Sequence, residues 1–457
     1  MFKGDTIAAI STPPGRGGIG VVRLSGPSAL EIADSIFASE SRAADAPNRA
    51  VFGRLVDPAS GEVIDEVIRT YFKAPHSYTG EDVIELSCHG SPVILTRALG
   101  LAAAGGARIA EPGEFTFRAF LNKRLDLTQA QAVRDLIDAQ TDYQARVATR
   151  QLGGALSGRL TPLKDELVEI IVHLESSLEF VEDDISTDEA SALLAKIDRV
   201  IEELSRMSES FAFGRFIHEG FDLALVGRPN VGKSSIFNRL VGSDRAIVTE
   251  VPGTTRDALY EAASISGVPV RLIDTAGIRE TTDMVESLGI GRSRRAIADA
   301  DISILVLDSS EPLTDDDIRL LNEVPEDRRI IVYNKVDLLG NLQPGFLEPE
   351  GGLEVLNISA LTGEGFGRLI EALFERLSGD AATERDGIMI TDARQHRSVR
   401  GAIEKLYDAR DLMKQSESEE VILLRLHSAL FSLGEITGET LTEDILTRIF
   451  STFCVGK

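Results

Sequence analysis

Hydrophobic positions change their spacing three times along this chain, and each change predicts a different kind of element. Up to about residue 118 the apolar runs are short. Thr6 to Ala9 and Gly20 to Leu24 read as strands, separated by the turn-rich Thr12-Pro13-Pro14-Gly15-Arg16-Gly17-Gly18. Val67 to Phe72 and Asp82 to Ser87 read as further strands, and Pro92 to Ala104 has helical spacing. From about residue 119, Leu125, Leu127, Ala130, Val133, Leu136 and Ile137 recur at three- and four-residue intervals. The same spacing returns at Leu163 to Phe180 and at Ala192 to Phe213, which predicts long amphipathic helices. At Phe221 the compact run Phe221-Asp222-Leu223-Ala224-Leu225-Val226 feeds a glycine loop. Val268 to Ile273, Ile302 to Leu307, Arg329 to Tyr333 and Val355 to Ile358 then alternate with helical stretches, which predicts a mostly parallel, helix-covered sheet ending near Leu377. The rest is helical again: Val399 to Met413, Val421 to Thr437 and Thr442 to Phe453.

The final helical stretch, about seventy residues, makes a thin core alone. The helices before Phe221 can supply the missing surface. The pattern therefore predicts a multidomain α/β plus all-α protein with four parts. Residues 1–118 form an α/β domain, and residues 119–216 the first part of a discontinuous helical domain. Residues 217–380 form an inserted α/β domain, and residues 381–457 complete the helical domain. Independent helical segments are the alternative. There is no internal repeat, and Ser378 to Asp386 is the one linker-like stretch.

Composition narrows the classes. A chain of 457 residues with 43% hydrophobic content has room for about three cores. No apolar run approaches the ~18 residues that span a bilayer, and the first residues lack the build of a signal peptide. Two cysteines, Cys88 and Cys454, make no disulfide framework, which fits a reducing cytoplasm. The six histidines show no paired ligand spacing. A net charge of −25 argues against sequence-independent nucleic-acid binding through one large basic face, though not against a local basic patch. The acidic run Glu182-Asp183-Asp184 reads as a solvated helix face or turn.

The inserted domain carries the most specific chemistry. Gly227-Arg228-Pro229-Asn230-Val231-Gly232-Lys233-Ser234 follows a strand and reads as a phosphate loop. Its amides face the β-phosphate, Lys233 neutralises β/γ oxygens, and the Ser234 hydroxyl reaches Mg²⁺, with Ser235 beside it. About a hundred residues on, Asn334-Lys335-Val336-Asp337 closes a strand. A carboxylate at Asp337 accepts from guanine N1–H and the 2-amino group, donors that adenine does not offer in that pattern. Ser359-Ala360-Leu361 fits a backbone contact to guanine O6. Gly253-Thr254-Thr255-Arg256-Asp257 reads as a first switch with Thr255 on Mg²⁺ and the γ-phosphate. Asp274-Thr275-Ala276-Gly277 senses the terminal phosphate. Together these predict a GTP-binding domain. The place where many such enzymes keep a water-orienting glutamine holds Ile278. Asn230 can help hold a monovalent cation that offsets developing charge. Glu286 reads either as a water-orienting residue or as an ordinary helix-surface glutamate.

On these motifs the chain resembles the tRNA-modification GTPase family MnmE (TrmE) from end to end. The carriers outside the GTP motifs are Thr12 to Gly18, Thr79-Gly80-Glu81-Asp82, Pro112-Gly113-Glu114-Phe115, Ala119-Phe120-Leu121-Asn122 and the terminal Phe453-Cys454-Val455-Gly456-Lys457. The resemblance implies a cytoplasmic homodimer joined through the amino-terminal domains, with a tetrahydrofolate derivative (5,10-methylene or 5-formyl) bound near that interface. Arg23, Glu81, Arg124 and Lys457 match the folate positions; Arg124 stands where relatives carry lysine. Asn230, Thr249, Val251 and Thr254 match potassium-holding positions, and Glu250 and Pro252 fall within the same nucleotide-contacting run. Glu286 matches the catalytic glutamate. The implied task is to install an aminomethyl-type or carboxymethylaminomethyl group on carbon 5 of the tRNA wobble uridine. The implied partner is an MnmG (GidA)-type flavoprotein, in a heterotetramer. Cys454 keeps two readings, a reactive thiol in one-carbon transfer or a small residue near the terminus. Cys88 reads as buried packing and His89-Gly90 as a turn. A ribosome-assembly GTPase is the competing function, and a folate-binding one-carbon enzyme with GTP as regulator is a third.

Overall fold

The computed structural model describes residues 4–39, 46–179, 187–243, 260–273, 297, 300–339, 355–378 and 389–456. The chain forms two compact units. One comprises residues 1–134, 151–157 and 434–457; the other comprises residues 135–150 and 158–433.

In the first unit, β1 (Ile7–Ile10), β2 (Gly17–Ser25), β3 (Phe37–Ala38), β4 (Ala50–Val56), β5 (Val63–Phe72), β6 (Val83–Gly90) and β7 (Arg108–Ile109) make a sheet in the order β3-β4-β5-β6-β2-β1-β7. Neighbours are antiparallel except β1 and β7. Helices Ala29–Ile36 and Pro92–Ala104 pack on this sheet. The first buries Ala29, Ile32, Ala33 and Ile36, one face at helical spacing. β4 and the Ala29–Ile36 helix escape the sequence reading. In β4 the apolar run is interrupted by Gly53, where a Cβ would come within 2.4 Å of the Phe37 ring. The helix shows its helical spacing over only eight residues, a weaker signal than the longer helices give. His89-Gly90 is not a turn: it ends β6, with Gly90 paired to Gly17. A Cβ on Gly90 would lie 2.5 Å from the Gly17 carbonyl oxygen, so glycine serves a close strand approach there.

Residues from the far end of the sequence complete this unit. Helix Glu443–Phe450 packs on helix Glu114–Leu121. The Phe450 ring lies 4.9 Å from that of Phe117 and 5.1 Å from that of Phe453. Gly113, at φ 69°, opens the Glu114–Leu121 helix; a Cβ there would lie 2.4 Å from the Phe450 carbonyl oxygen. The Gly113 amide donates to the Cys454 carbonyl at 3.1 Å.

In the second unit, β8 (Phe221–Val226), β9 (Tyr260–Ile265), β10 (Val268–Ile273), β11 (Ile302–Asp308), β12 (Arg329–Asn334) and β13 (Val355–Asn357) form a sheet in the order β13-β12-β11-β8-β10-β9. All pairs are parallel except β9 on β10, so the mostly parallel expectation holds. Every residue of β11 and β12 is buried, which is why their sequences read as unbroken apolar runs rather than alternating ones. Helix Lys233–Ser243 follows β8 directly. Elsewhere in this unit, helix Thr187–Glu209 packs along helix Ala393–Lys414. Leu193, Ile197, Val200 and Leu204 are buried on one, and Val399, Ala402, Leu406 and Ala409 on the other. The helix expected over Ala192 to Phe213 is two helices, broken at Ser210. Its successor, Phe211–Glu219, passes so close to the returning chain that a Cβ on Gly214 would sit 2.2 Å from the Ile390 carbonyl oxygen.

Candidate functional site

The phosphate loop leaves the buried strand β8 at Gly227, whose φ is 153°; a Cβ there would lie 2.4 Å from the Val306 carbonyl oxygen of β11. Asn230 is left-handed at φ 67° and exposed. Gly232 is left-handed at φ 97°, with a Cβ position 2.1 Å from Asn334 Nδ2. The loop thus holds a path that only glycine follows at both ends. Lys233 begins the next helix, and its Nζ donates to the carbonyls of Gly227 (2.8 Å) and Arg228 (2.7 Å). The ammonium lies across the loop, above a helix amino terminus whose first amides and dipole favour an anion. Ser234 is in that first turn.

Three loops converge on Asn334, buried at the end of β12. Its Nδ2 donates to the Val231 carbonyl at 2.9 Å, and its Oδ1 accepts from the Ala360 amide at 2.9 Å. One side chain therefore fastens the phosphate loop to Ser359-Ala360-Leu361. Asp337 accepts from the fully buried Ser359 hydroxyl at 2.5 Å, which fixes the carboxylate beside the same loop. Lys335, left-handed at φ 69°, is ion-paired with Asp308 at 2.6 Å. Burial works against the Asp308 charge. The bonds from Lys335 and Ser310 outweigh it and hold the carboxyl below the usual carboxylate range.

The structure so brings together Asn230, Val231, Gly232, Lys233, Ser234, Asn334, Lys335, Asp337, Ser359, Ala360 and Leu361. Thr249 to Thr255, Asp274 to Gly277, Glu286 and Lys457 lie outside the described residues, as does the acidic run Glu182 to Asp184.

The first unit carries the other candidate residues. Arg23 on β2 pairs with Glu85 across β6: Nε donates at 2.9 Å and Nη2 lies at 2.7 Å. Its guanidinium is 5.7 Å from the centres of both the Tyr78 and Phe115 rings. Two residues along the same strand, Ser25 Oγ donates to Glu81 Oε2 at 2.7 Å. Arg124 lays its stem against Gly80, beside Glu81. The Gly456 carbonyl accepts from Ser11 Oγ at 3.0 Å and from Arg23 Nη1 at 3.4 Å. Arg23, Glu81, Arg124 and the segment before Lys457 therefore gather at one end of β2. Cys454 is exposed and free. Cys88 is buried, and burial pushes its thiol up to about 12, so it is packing rather than chemistry.

Sequence reasoning missed the residues that position these groups. Arg118 is buried. Its Nη1 donates to Glu81 Oε2 (3.1 Å) and its Nη2 to Asp5 Oδ1 (2.6 Å) and Glu114 Oε1 (2.9 Å). It is the cation that orients Glu81. Its spacing of four from Glu114 on one helix was the available signal. Asp308 had only its place at the end of an apolar strand. Arg228, inside the phosphate loop, donates to Asp317 at 2.9 Å. Asp317 also closes the capping box of helix Asp315–Glu323 with Thr314.

A family profile described as "GTP-binding protein TrmE N-terminus" matches residues 6–124, and one described as "MnmE helical domain" matches residues 127–454. The tRNA modification GTPase MnmE of Koribacter versatilis (strain Ellin345) is 50% identical, with 100% of each chain covered. That of Aquifex aeolicus (strain VF5) is 45% identical over 99% of this chain and 100% of its own. That of Alkaliphilus metalliredigens (strain QYMF) is 42% identical, again with 100% of each chain covered.

Proposed function

The chain belongs to the MnmE family of tRNA-modification GTPases, and from that membership we infer how its GTP hydrolysis serves the modification. It binds and hydrolyses GTP and acts on tRNA. We propose that hydrolysis is activated by potassium. Asn230, Thr249, Val251 and Thr254 hold the ion, Ser234 and Thr255 hold Mg²⁺, and Glu286 orients the water. Ile278 offers no polar group for that last task, so the water and the compensating charge must come from other residues. The residues at the end of β2 hold a tetrahydrofolate derivative. Glu81 supplies a carboxylate of the kind that suits a pterin's amino and N–H edge, and Arg23, Arg124 and Lys457 supply cations of the kind that suit its anionic tail. A homodimer, with an MnmG-type flavoprotein, uses the folate one-carbon unit to build the aminomethyl-type group on carbon 5 of the wobble uridine. The GTP domain, residues 217–380, is inserted between the two helical parts. That reading is supported by the packing of Thr187–Glu209 along Ala393–Lys414 from either side of it.

The observation that carries the folate reading over ribosome assembly is the meeting of Gly456 with Ser11 and Arg23. It brings the Cys-x-Gly-Lys segment to the cation and carboxylate at the end of β2. The test is mass spectrometry of wobble-uridine nucleosides in bulk tRNA from cells lacking this protein. The 5-aminomethyl-type nucleosides are expected to disappear, to return with the wild-type chain, and to stay absent with Glu286→Ala. An unchanged profile in cells without a redundant enzyme sinks the reading and favours ribosome assembly.

A further inference from the structure

The helix that begins at Lys233 carries a group with no assigned role. Arg239 donates from Nε to the Ala360 carbonyl at 2.9 Å and from Nη2 to the Leu361 carbonyl at 2.7 Å. Its guanidinium lies 5.5 Å from the centre of the Phe366 ring. On another side it meets Gly363, where a Cβ would come within 2.3 Å of Nη1. A ring contact combined with forked donation to two successive carbonyls suits a guanidinium and not an ammonium.

The amides of this loop can be accounted for one by one. Ser359 N–H goes to the Glu364 carbonyl at 3.0 Å, and Ala360 N–H to Asn334 Oδ1 at 2.9 Å. Thr362 N–H goes to Ser359 Oγ at 3.0 Å, and Gly363 N–H to the Ser359 carbonyl at 2.8 Å. Among the described residues, the Leu361 N–H of this run has no acceptor. That N–H belongs to the same peptide plane as the Ala360 carbonyl which Arg239 holds. In a trans peptide the two point in opposite directions. Arg239 therefore fixes the direction of the one uncommitted amide. Its charge on the carbonyl oxygen also strengthens that amide as a donor.

We propose that Arg239 is a positioning residue for base recognition. By holding the Ala360–Leu361 peptide from its carbonyl side, it presents the Leu361 amide to the 6-oxo group of guanine. One rigid helix then aligns both halves of the nucleotide, with Lys233 and Ser234 at its start for the phosphates and Arg239 further along for the base. This rests on the reading of Asp337 and the Ser359-Ala360-Leu361 loop as the guanine site.

The test uses the full chain and three nucleoside diphosphates. GDP has both the 6-oxo and 2-amino groups. Inosine diphosphate keeps the 6-oxo group alone, and 2-aminopurine riboside diphosphate keeps the 2-amino group alone. Arg239→Ala is expected to weaken GDP and inosine diphosphate about tenfold, and the 2-aminopurine nucleotide less than about twofold. Arg239→Lys, which keeps the charge but not the fork, is expected to recover part of the loss. Equal weakening of all three nucleotides, or of none, overturns the proposal while leaving the guanine site standing. A wild-type chain that binds GDP and the 2-aminopurine nucleotide equally overturns the guanine reading, and the proposal with it.

Discussion

Asn230 occupies a left-handed position at the rim of the phosphate loop, with its side chain exposed rather than buried in the loop's own hydrogen bonding. On the proposed reading, a cation role at Asn230 therefore separates from nucleotide holding by the loop amides and Lys233. Asn230→Ala is expected to abolish the stimulation of hydrolysis by potassium and to leave GDP affinity within about threefold, as measured by GTPase assays in potassium and sodium. An equal potassium response in the variant sinks the assignment. Asp308 gives a pH-dependent expectation. Its carboxyl is held below its ordinary value of 3.8. The Lys335 pairing thus adds stability that is fully present above 3.8 and is lost as pH falls through the lowered folded value. Asp308→Asn is expected to lower the melting temperature at pH 7, and the difference from wild type is expected to close in acid. A difference that persists at pH 2 contradicts the pairing as its source. Motif residues such as Lys233, Asn334 and Asp337 were legible in the sequence because phosphate and guanine chemistry fixes both residue type and spacing. Arg118 and Asp308 were not: Arg118 shows only its local i,i+4 pairing with Glu114, while its bonds to Glu81 and Asp5, like that of Asp308 to Lys335, form only on tertiary folding.

At the scale of elements, the long apolar runs told their structure plainly. β8, β11 and β12 are buried on both faces and need no alternation to be recognised. Some short or interrupted elements were lost, although β1, β13 and the Glu443–Phe450 helix were read despite their length. β4 is broken by a glycine that the Phe37 ring requires, and the Ala192 to Phe213 periodicity runs straight through the break at Ser210, since the hydrophobic stripe continues into the next helix. The Glu443–Phe450 helix shows what such short elements contribute. Phe450 is 2% exposed and touches Phe117 and Phe453. Phe450→Ala is expected to destabilise the first unit by about 3–5 kcal/mol, read as an earlier transition in urea denaturation followed by amide exchange of β1 and β2. A shift under about 1 kcal/mol would mean that the aromatic cluster packs loosely.

At the scale of the whole molecule, a chain of net charge −25 meets a polyanion through local patches, against a general repulsion that salt screens. Its affinity for tRNA is expected to fall by much less than the ~10³–10⁵-fold between 50 and 200 mM salt that marks binders with six to ten phosphate contacts. Filter binding across that range decides it; a slope as steep as theirs would reveal a basic face. The order in which the units are written along the chain has its own consequence. Ser11 and Gly456 are hydrogen-bonded partners 445 residues apart in sequence, and both belong to the unit whose first strand starts at Ile7. At about 5–20 residues per second, a ribosome needs roughly 20–90 s to bring the second partner into existence after the first. For the later part of that interval, once it has been made, the Glu114–Leu121 helix has no Phe450 to cover it. The part of the unit made early is thus completed only by residues made much later, and its aromatic surface stays open in between.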